Sequence, residues 1–359
     1  FQEFLKLGEN LPIRIFQVVP GGLPVDAKFS NSKSLTLSQE KTAVKHPHVL
    51  GLGEVFSWTK VTLRESKTMK SISSMLECDC IINGHTAGAS DKKLNAYVSS
   101  GILSCHEPIN FDQVLERLRL GMWIMIREGS IRRDLNEIIP RVLSHGTYLN
   151  RLMFCSDGLD PLDITKFGHI DHCIRESIRH GLKPIDAVTI ASKNNFDYYN
   201  MGKDLGGIAP GKLADILIFD DLKSFKPTKV FVGGKLVISN GRFVIPIKKK
   251  SIPSWIKKTV KLKNFSKNDF LIKSKKKNVL ANTIFMQSEI ITKLGSSELQ
   301  SINGNVPASL NSDVWKVAAF DRIHGTNRHS IGFLENFGAD IGAFASTWSF
   351  HENDLIVIG

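Results

Sequence analysis

The stretch that decides the fold is Ile81–Pro108, IINGHTAGASDKKLNAYVSSGILSCHEP. Its first apolar run, Cys80-Ile81-Ile82, ends on Gly84-His85, and a polar, alanine-rich segment follows. A second apolar run, Gly101-Ile102-Leu103, ends on His106-Glu107. Short apolar runs bounded by glycine predict strands, and the segment between them predicts a crossover helix. The stretch is therefore a βαβ unit with an imidazole at the carboxyl end of each strand. Neighbouring parallel strands that both end in histidine aim two rings into one pocket. Neutral imidazole is the commonest side-chain ligand for borderline metals. Either histidine alone reads more simply as a loop residue; what favours a shared site is that the pattern recurs.

Outward from this unit, apolar runs at 13–19, 49–56, 80–84, 101–105, 121–126 and 151–155 predict six strands alternating with helices. Helices are expected over residues 1–11, over Leu37–Val44 starting at Ser38, and over 66–78, Phe111–Leu120, Asp134–Leu143, 169–180 and 184–199. Continuous apolar runs suit a parallel sheet covered on both faces. Five of the strands end in polar or ionisable residues: Glu54, His85, His106, Arg127-Glu128 and Asp157. In a (β/α)8 barrel of the TIM type the carboxyl ends of all strands face one mouth, where the chemistry sits. An open doubly wound sheet gathers ligands only at its switch point, so the barrel is the expected fold class, with its first strands missing. Carboxylates and imidazoles together suit zinc, manganese or iron, and point to hydrolysis of a polarised carbon.

Residues 205–250 change to short strands with glycine turns, the pattern of a small β-sandwich portion, and residues 251–359 read as a C-terminal α+β domain. Residues 1–204 make up the hydrolase barrel in this division. The net charge of +12 suggests nucleic acid until it is located. Lys248–Lys277 holds twelve lysines against Asp269 alone, a net +11, with apolar residues interleaved. A solvated basic strand or linker accounts for it, and no nucleic-acid partner is expected. No apolar run reaches eighteen residues, so no membrane span or membrane partner is expected. Five cysteines, an odd number lying in or beside apolar runs, suit free thiols in a reducing cytoplasm, and Cys78-x-Cys80 is too short for a zinc signature. The chain opens on Phe1 in mid-pattern, as a chain trimmed at its amino end would.

Ile81–Pro108, GMWIMIREGSIRRDL (121–135), CSDGLDP (155–161), GHIDHCIRESI (168–178) and GGIAPGKLADILIFDDL (206–222) resemble the adenine deaminases of the amidohydrolase superfamily. FDRIHGTNRHSIGFLENFGADIGAFAST (320–347) resembles that family's carboxyl-terminal domain. The resemblance implies a distorted (β/α)8 barrel with a binuclear divalent metal centre of manganese, iron or zinc. It implies that Glu54 bridges the metals, that His85 and His106 bind one, and that Asp157 binds the other and shuttles the proton. Glu107 is a second catalytic candidate, as an acid orienting a ligand histidine, and Arg127 and Glu128 are candidate substrate contacts. The implied substrates are adenine and water, and the implied assembly is a homo-oligomer.

The sequence departs from the family pattern in three places. The family's His-x-His and Pro-His-Glu are not at their expected positions; His46-Pro47-His48 has the right spelling but precedes the Glu54 strand. Gly158 stands where a second acid is usual. Phe350-His351-Glu352-Asn353-Asp354 stands where the family often reads His-Asp-Ser-His-Asn. A different purine, pterin or amide substrate, or an inert fragment, remains the alternative. A binding protein using the lysine stretch leaves the strand-end ligands unexplained.

Overall fold

The computed structural model describes residues 1–22, 34–222, 224–247, 250–262, 265–288, 291–340, 342–347 and 354–359. The chain divides into two compact units, one of Phe1–Gly22 with Leu35–Lys250, the other containing Ser251–Gly359.

In the first unit strands and helices alternate. The order is α1 (Gln2–Gly8), β1 (Gln17–Val19), α2 (Leu37–Ala43), β2 (Val49–Val55), α3 (Trp58–Thr62), α4 (Ser66–Leu76), β3 (Ile81–Gly84), α5 (Asp91–Val98), β4 (Ser104–Cys105) and α6 (Phe111–Arg119). It continues with β5 (Trp123–Arg127), α7 (Leu135–His145), β6 (Leu152–Cys155), α8 (Pro161–Phe167), α9 (Ile170–Arg179), α10 (Pro184–Ala191) and α11 (Lys193–Tyr198). The six strands form two parallel sheets, β1-β2-β3 and β4-β5-β6. The two sheets adjoin at β3 and β4, where the Gly84 amide donates to Ser104 Oγ at 3.1 Å. A Cβ on Gly84 would lie 2.3 Å from the Ser104 carbonyl oxygen, so only glycine allows this approach. Among the described residues these strands make an α/β arrangement with all carboxyl ends at one side, and no closed barrel.

The helices are placed by their apolar stripes. Leu135, Ile138, Ile139 and Val142 recur on one face of α7 and pack, fully buried, on Ile124, Ile126, Leu152 and Phe154 of β5 and β6. Ile72 and Met75 of α4 and Tyr97 of α5 cover Leu52 and Ile82 of β2 and β3. Gly146 ends α7 at φ 68°, a left-handed turn open to glycine without penalty.

Several boundaries differ from expectation. Residues 13–16 are not strand, and only Gln17–Val19 pairs with β2. Thr36, not Ser38, caps α2, through a capping box with Gln39. The helix expected over 184–199 breaks at Ser192, whose φ −125° and ψ −78° interrupt the helical path. Helices α3 and α8, five and seven residues long, are too short to show periodicity in the sequence.

The rest of the first unit is a four-stranded antiparallel sheet of β7 (Ile216–Phe219), β8 (Pro227–Val232), β9 (Lys235–Ser239) and β10 (Arg242–Phe243). Asp215 accepts from Arg14 Nε at 2.6 Å and from the Gly233 amide at 2.7 Å, which ties this sheet to the segment before β1.

The second unit departs from the α+β expectation. Its described residues hold a six-stranded sheet in the order β12-β11-β14-β13-β16-β15, with only 3-10 turns and no α-helix. The strands are β11 (Asn278–Met286), β12 (Thr292–Gln300), β13 (Val314–Asp321), β14 (His329–Glu335), β15 (Phe344–Ser346) and β16 (Asp354–Ile358). The apolar runs of this part form the strands, and no 3.6-residue periodicity accompanies them. The lysine stretch is not a strand. It forms 3-10 turns at Ser254–Lys257 and Lys267–Phe270, and Lys248, Lys249 and Lys263 lie outside the described residues. Phe350, His351, Glu352 and Asn353 also lie outside them.

Among the described residues no helix is long and apolar enough to cross a membrane. All five cysteines are free.

Candidate metal and catalytic centre

The carboxyl ends of β2 to β6 converge. Glu54 is the penultimate residue of β2, His85 and His106 directly follow β3 and β4, Arg127 ends β5, and Asp157 lies two residues beyond β6. Glu54 Oε2 lies 3.0 Å from His106 Nε2 and 3.2 Å from His85 Nδ1. One ligand atom from each of these three residues falls within a 4.8 Å cluster, and so do atoms of His106, Glu107 and Asp157. His106 belongs to both groups. Of the strand-end residues picked out by the sequence, Glu54, His85 and His106 thus fall in one group, and Asp157 joins His106 in the other.

Glu107 is held more tightly than the sequence suggested. Its side chain is 3% exposed and receives Arg127 Nη1 at 2.8 Å, Arg132 Nη1 at 3.1 Å and His106 Nε2 at 3.2 Å. Arg127 Nη1 also donates to Asp157 Oδ2. The guanidinium therefore joins the two carboxylates of the second triad and neutralises part of their charge. Arg132 was not singled out from the sequence. It braces the site from behind, donating to Glu107, to Asp134 Oδ2 at 2.9 Å and to the His106 carbonyl at 3.3 Å.

The electrostatics follow from this packing. Burial pushes Glu54 up, but hydrogen bonds from His106 and His85 and their charge outweigh it and hold the carboxyl at about 2. Burial likewise opposes ionisation of Glu107, and His106 and Arg127 bring it far below the usual carboxylate range. Burial alone would lower His106; hydrogen bonds to Glu107 and Glu54 instead raise it to about 10. The two carboxylates thus hold a cation between them, and without a metal that cation is the His106 proton. A metal taken up here must displace that proton, so its affinity rises with pH.

Asp157 adopts φ 52°, a left-handed conformation open to Asp and Asn but strained for most residues. Its side chain remains 38% exposed at the mouth. Glu128 is turned elsewhere. Its carboxylate lies 3.5 Å from His172 Nε2 of α9 and not in either triad. Burial pushes it up to about 7. Glu128 Oε2 and Arg127 Nε are buried atoms without a hydrogen-bond partner among the described residues. His169 sits at the N-cap of α9, with Nε2 3.1 Å from Ser156 Oγ. His46 and His48 precede β2, at the opposite end from Glu54.

The description "Amidohydrolase family" matches residues 9–237, and "Adenine deaminase C-terminal domain" matches 289–359. An adenine deaminase of Cenarchaeum symbiosum is 58% identical over 359 residues, covering 100% of this chain and 59% of that protein. An adenine deaminase of Kosmotoga olearia is 32% identical over 356 residues, covering 99% of this chain and 61% of that protein. The chain thus spans about three fifths of the length of the curated relatives it matches. Among solved structures, the β-aspartyl dipeptidase of Fervidobacterium islandicum AW-1 superposes with a TM-score of 0.51 at 17% identity, covering 69% of this chain and 73% of that one, a likeness of fold alone. With the match extending from before β1 through the strand-end cluster into the small antiparallel sheet, the chain belongs to the amidohydrolase family.

Proposed function

We propose that this chain carries the reaction centre of an adenine aminohydrolase, which converts adenine and water to hypoxanthine and ammonia. The observation that carries the reading is the convergence of Glu54, His85 and His106 beside Glu107 and Asp157. Relatives that match along the whole chain bear the name adenine deaminase, and residues 289–359 match the C-terminal domain of that name.

The first triad fits a divalent ion: two imidazoles and a carboxylate, with donor atoms a few ångströms apart, form a three-ligand set that leaves a coordination position open. Such an ion lowers the pKa of water and polarises the carbon under attack. The mixed nitrogen and oxygen donors suit manganese, iron or zinc. The second triad is already occupied by a cationic group, since Arg127 bridges Glu107 and Asp157. We therefore assign one ion to this chain's residues; a second would have to displace Arg127 and take donors from outside the triad.

Asp157 is the proton carrier. Its carboxylate stands at the mouth, can take a proton from the attacking water and can pass it to the exocyclic amine, which must be protonated before it leaves. Glu107 and Arg127 hold it in place. Arg127 Nε, buried at the site with no hydrogen-bond partner among the described residues, supplies a donor of the kind that recognises a purine edge; Glu128, turned towards His172, is left out of this role. The free thiols fit the reducing compartment of a cytoplasmic enzyme.

Incubating the full-length protein with adenine, other aminopurines, pterins and N-acetyl sugars, with ammonia and acetate release both measured, tests this assignment. Adenine should be turned over with the highest kcat/KM. Preference for a pterin or release of acetate would replace the substrate assignment while keeping the family.

A further inference from the structure

Helix α6 carries a charge where its apolar stripe predicts a core residue. Phe111 and Val114 are buried, and the next stripe position is Arg117, only 1% exposed and among the largest fully buried side chains. A buried guanidinium is costly unless its donors are satisfied, and a well-packed hydrophobe in its place often leaves a fold as stable or more so. Packing alone therefore does not account for it.

Its donors go to one loop. Arg117 Nε donates to Thr86 Oγ1 at 3.0 Å, and Nη2 donates to the carbonyls of Thr86 at 2.9 Å and Ala89 at 3.0 Å. Nη1 donates to the Gln113 carbonyl at 3.2 Å and lies 3.6 Å from Glu116 Oε2. Glu116 in turn accepts from the Asp91 amide at 2.7 Å, at the start of α5. The planar fork thus fastens both ends of the loop between His85 and α5, a geometry that lysine cannot copy.

The fastening extends to the next strand. Thr86 Oγ1 lies 2.8 Å from Cys105 Sγ, and Cys105 Sγ receives the Glu107 amide at 3.3 Å. Thr86 directly follows His85, and Cys105 directly precedes His106. Both are fully buried. The line from Arg117 through Thr86 to Cys105 therefore links the two chain positions beside the imidazoles, whose ring centroids stand 5.3 Å apart.

We propose that Arg117 is a positioning residue that, through Thr86 and Cys105, fixes the spacing of the His85 and His106 imidazoles so that both reach Glu54. The part of this that concerns metal affinity rests on the proposed metal site; the imidazole spacing does not.

The test uses Arg117→Lys and Thr86→Val in the intact chain, with Ile138→Ala as a control that loosens the same apolar core without removing any hydrogen bond of this line. Thr86→Val keeps the side-chain shape and removes only the hydroxyl, so it reports even if the lysine variant folds poorly. Two readouts are taken: the ring 15N resonances of His85 and His106 in metal-free protein, and the affinity and visible spectrum of added Co2+. The account expects both variants to shift the two ring resonances, weaken Co2+ about 10–100-fold and alter its spectrum, as loss of supporting partners around a metal site does. Ile138→Ala should lower the melting temperature and leave both readouts unchanged. Unchanged ring resonances in both Arg117→Lys and Thr86→Val overturn the proposal, and so does an equal shift in Ile138→Ala. If the wild-type chain takes up no Co2+, the metal reading falls, and the ring resonances alone decide on Arg117.

Discussion

On the proposed reading, replacing Asp157 by Asn is expected to lower kcat of the full-length protein by about a thousandfold while the fold survives. Deamination needs one group that can accept a proton and then give it back, and Asp157 is the carboxylate at the mouth that is open enough to do both. Asn preserves the shape, tolerates the φ of 52° at this position and can still accept a hydrogen bond from Arg127. It cannot carry a proton at neutral pH. The loss therefore falls on kcat, with KM for adenine changed little. Metal content measured on the same preparation separates a lost proton carrier from an emptied site. A variant that keeps its metal and more than about a tenth of the wild-type kcat removes Asp157 from the role and makes Glu107 the next candidate.

Replacing Glu107 by Gln is expected to destabilise the metal-stripped chain by about 3 kcal/mol, because it removes the one buried carboxylate that Arg127, Arg132 and His106 share and leaves Arg127 only Asp157 and Arg132 only Asp134 as carboxylate partners. The pH dependence has a definite sign. Glu107 ionises far below its ordinary value near 4.5, so its stabilisation is complete above that value and is lost as acid approaches the folded one. His106 is raised from 6.5 to about 10, so the stability it contributes is complete below 6.5 and is lost as pH rises through 10. The gap between wild type and Glu107→Gln should be widest between about pH 5 and 6.5 and narrow on both sides. Urea titrations across that range measure it. A gap below about 1 kcal/mol, or one that does not change with pH, means that Glu107 is solvated rather than locked among its cations.

The sequence made the strands and their ends legible for a physical reason. Strands buried on both faces must be apolar, so an ionisable residue at the end of each run, as at Glu54, His85 and His106, stands out from its surroundings. The positions of the runs predicted which side chains meet. The supporting shell was harder to see. Arg132 lies in a loop with no periodicity to break, and what it touches is decided by how the chain turns after β5. Arg117 did leave a signal, as a charge at a stripe position of α6, but a charge on a helix ordinarily reads as a solvated face. Glu128 shows the opposite case. It follows the site residue Arg127 directly, yet successive residues at a strand end point to opposite sides, and its carboxylate faces α9. The α+β expectation for the second unit located no helix in it, and among the described residues its apolar runs form strands.

The central claim, that Glu54, His85 and His106 together hold a divalent ion, is tested most directly by calorimetric titration of Zn2+ and Mn2+ into the chelator-stripped chain, in two buffers of different ionisation heat. The account predicts saturation near one ion per chain, proton release on binding because His106 must give up its proton, and weaker binding as pH falls. It also predicts at least a hundredfold loss of affinity in Glu54→Gln and in His106→Ala, on the order of 3 kcal/mol per ligand removed. No saturable binding by the wild-type chain, or equal binding by the wild type and both variants, would contradict it.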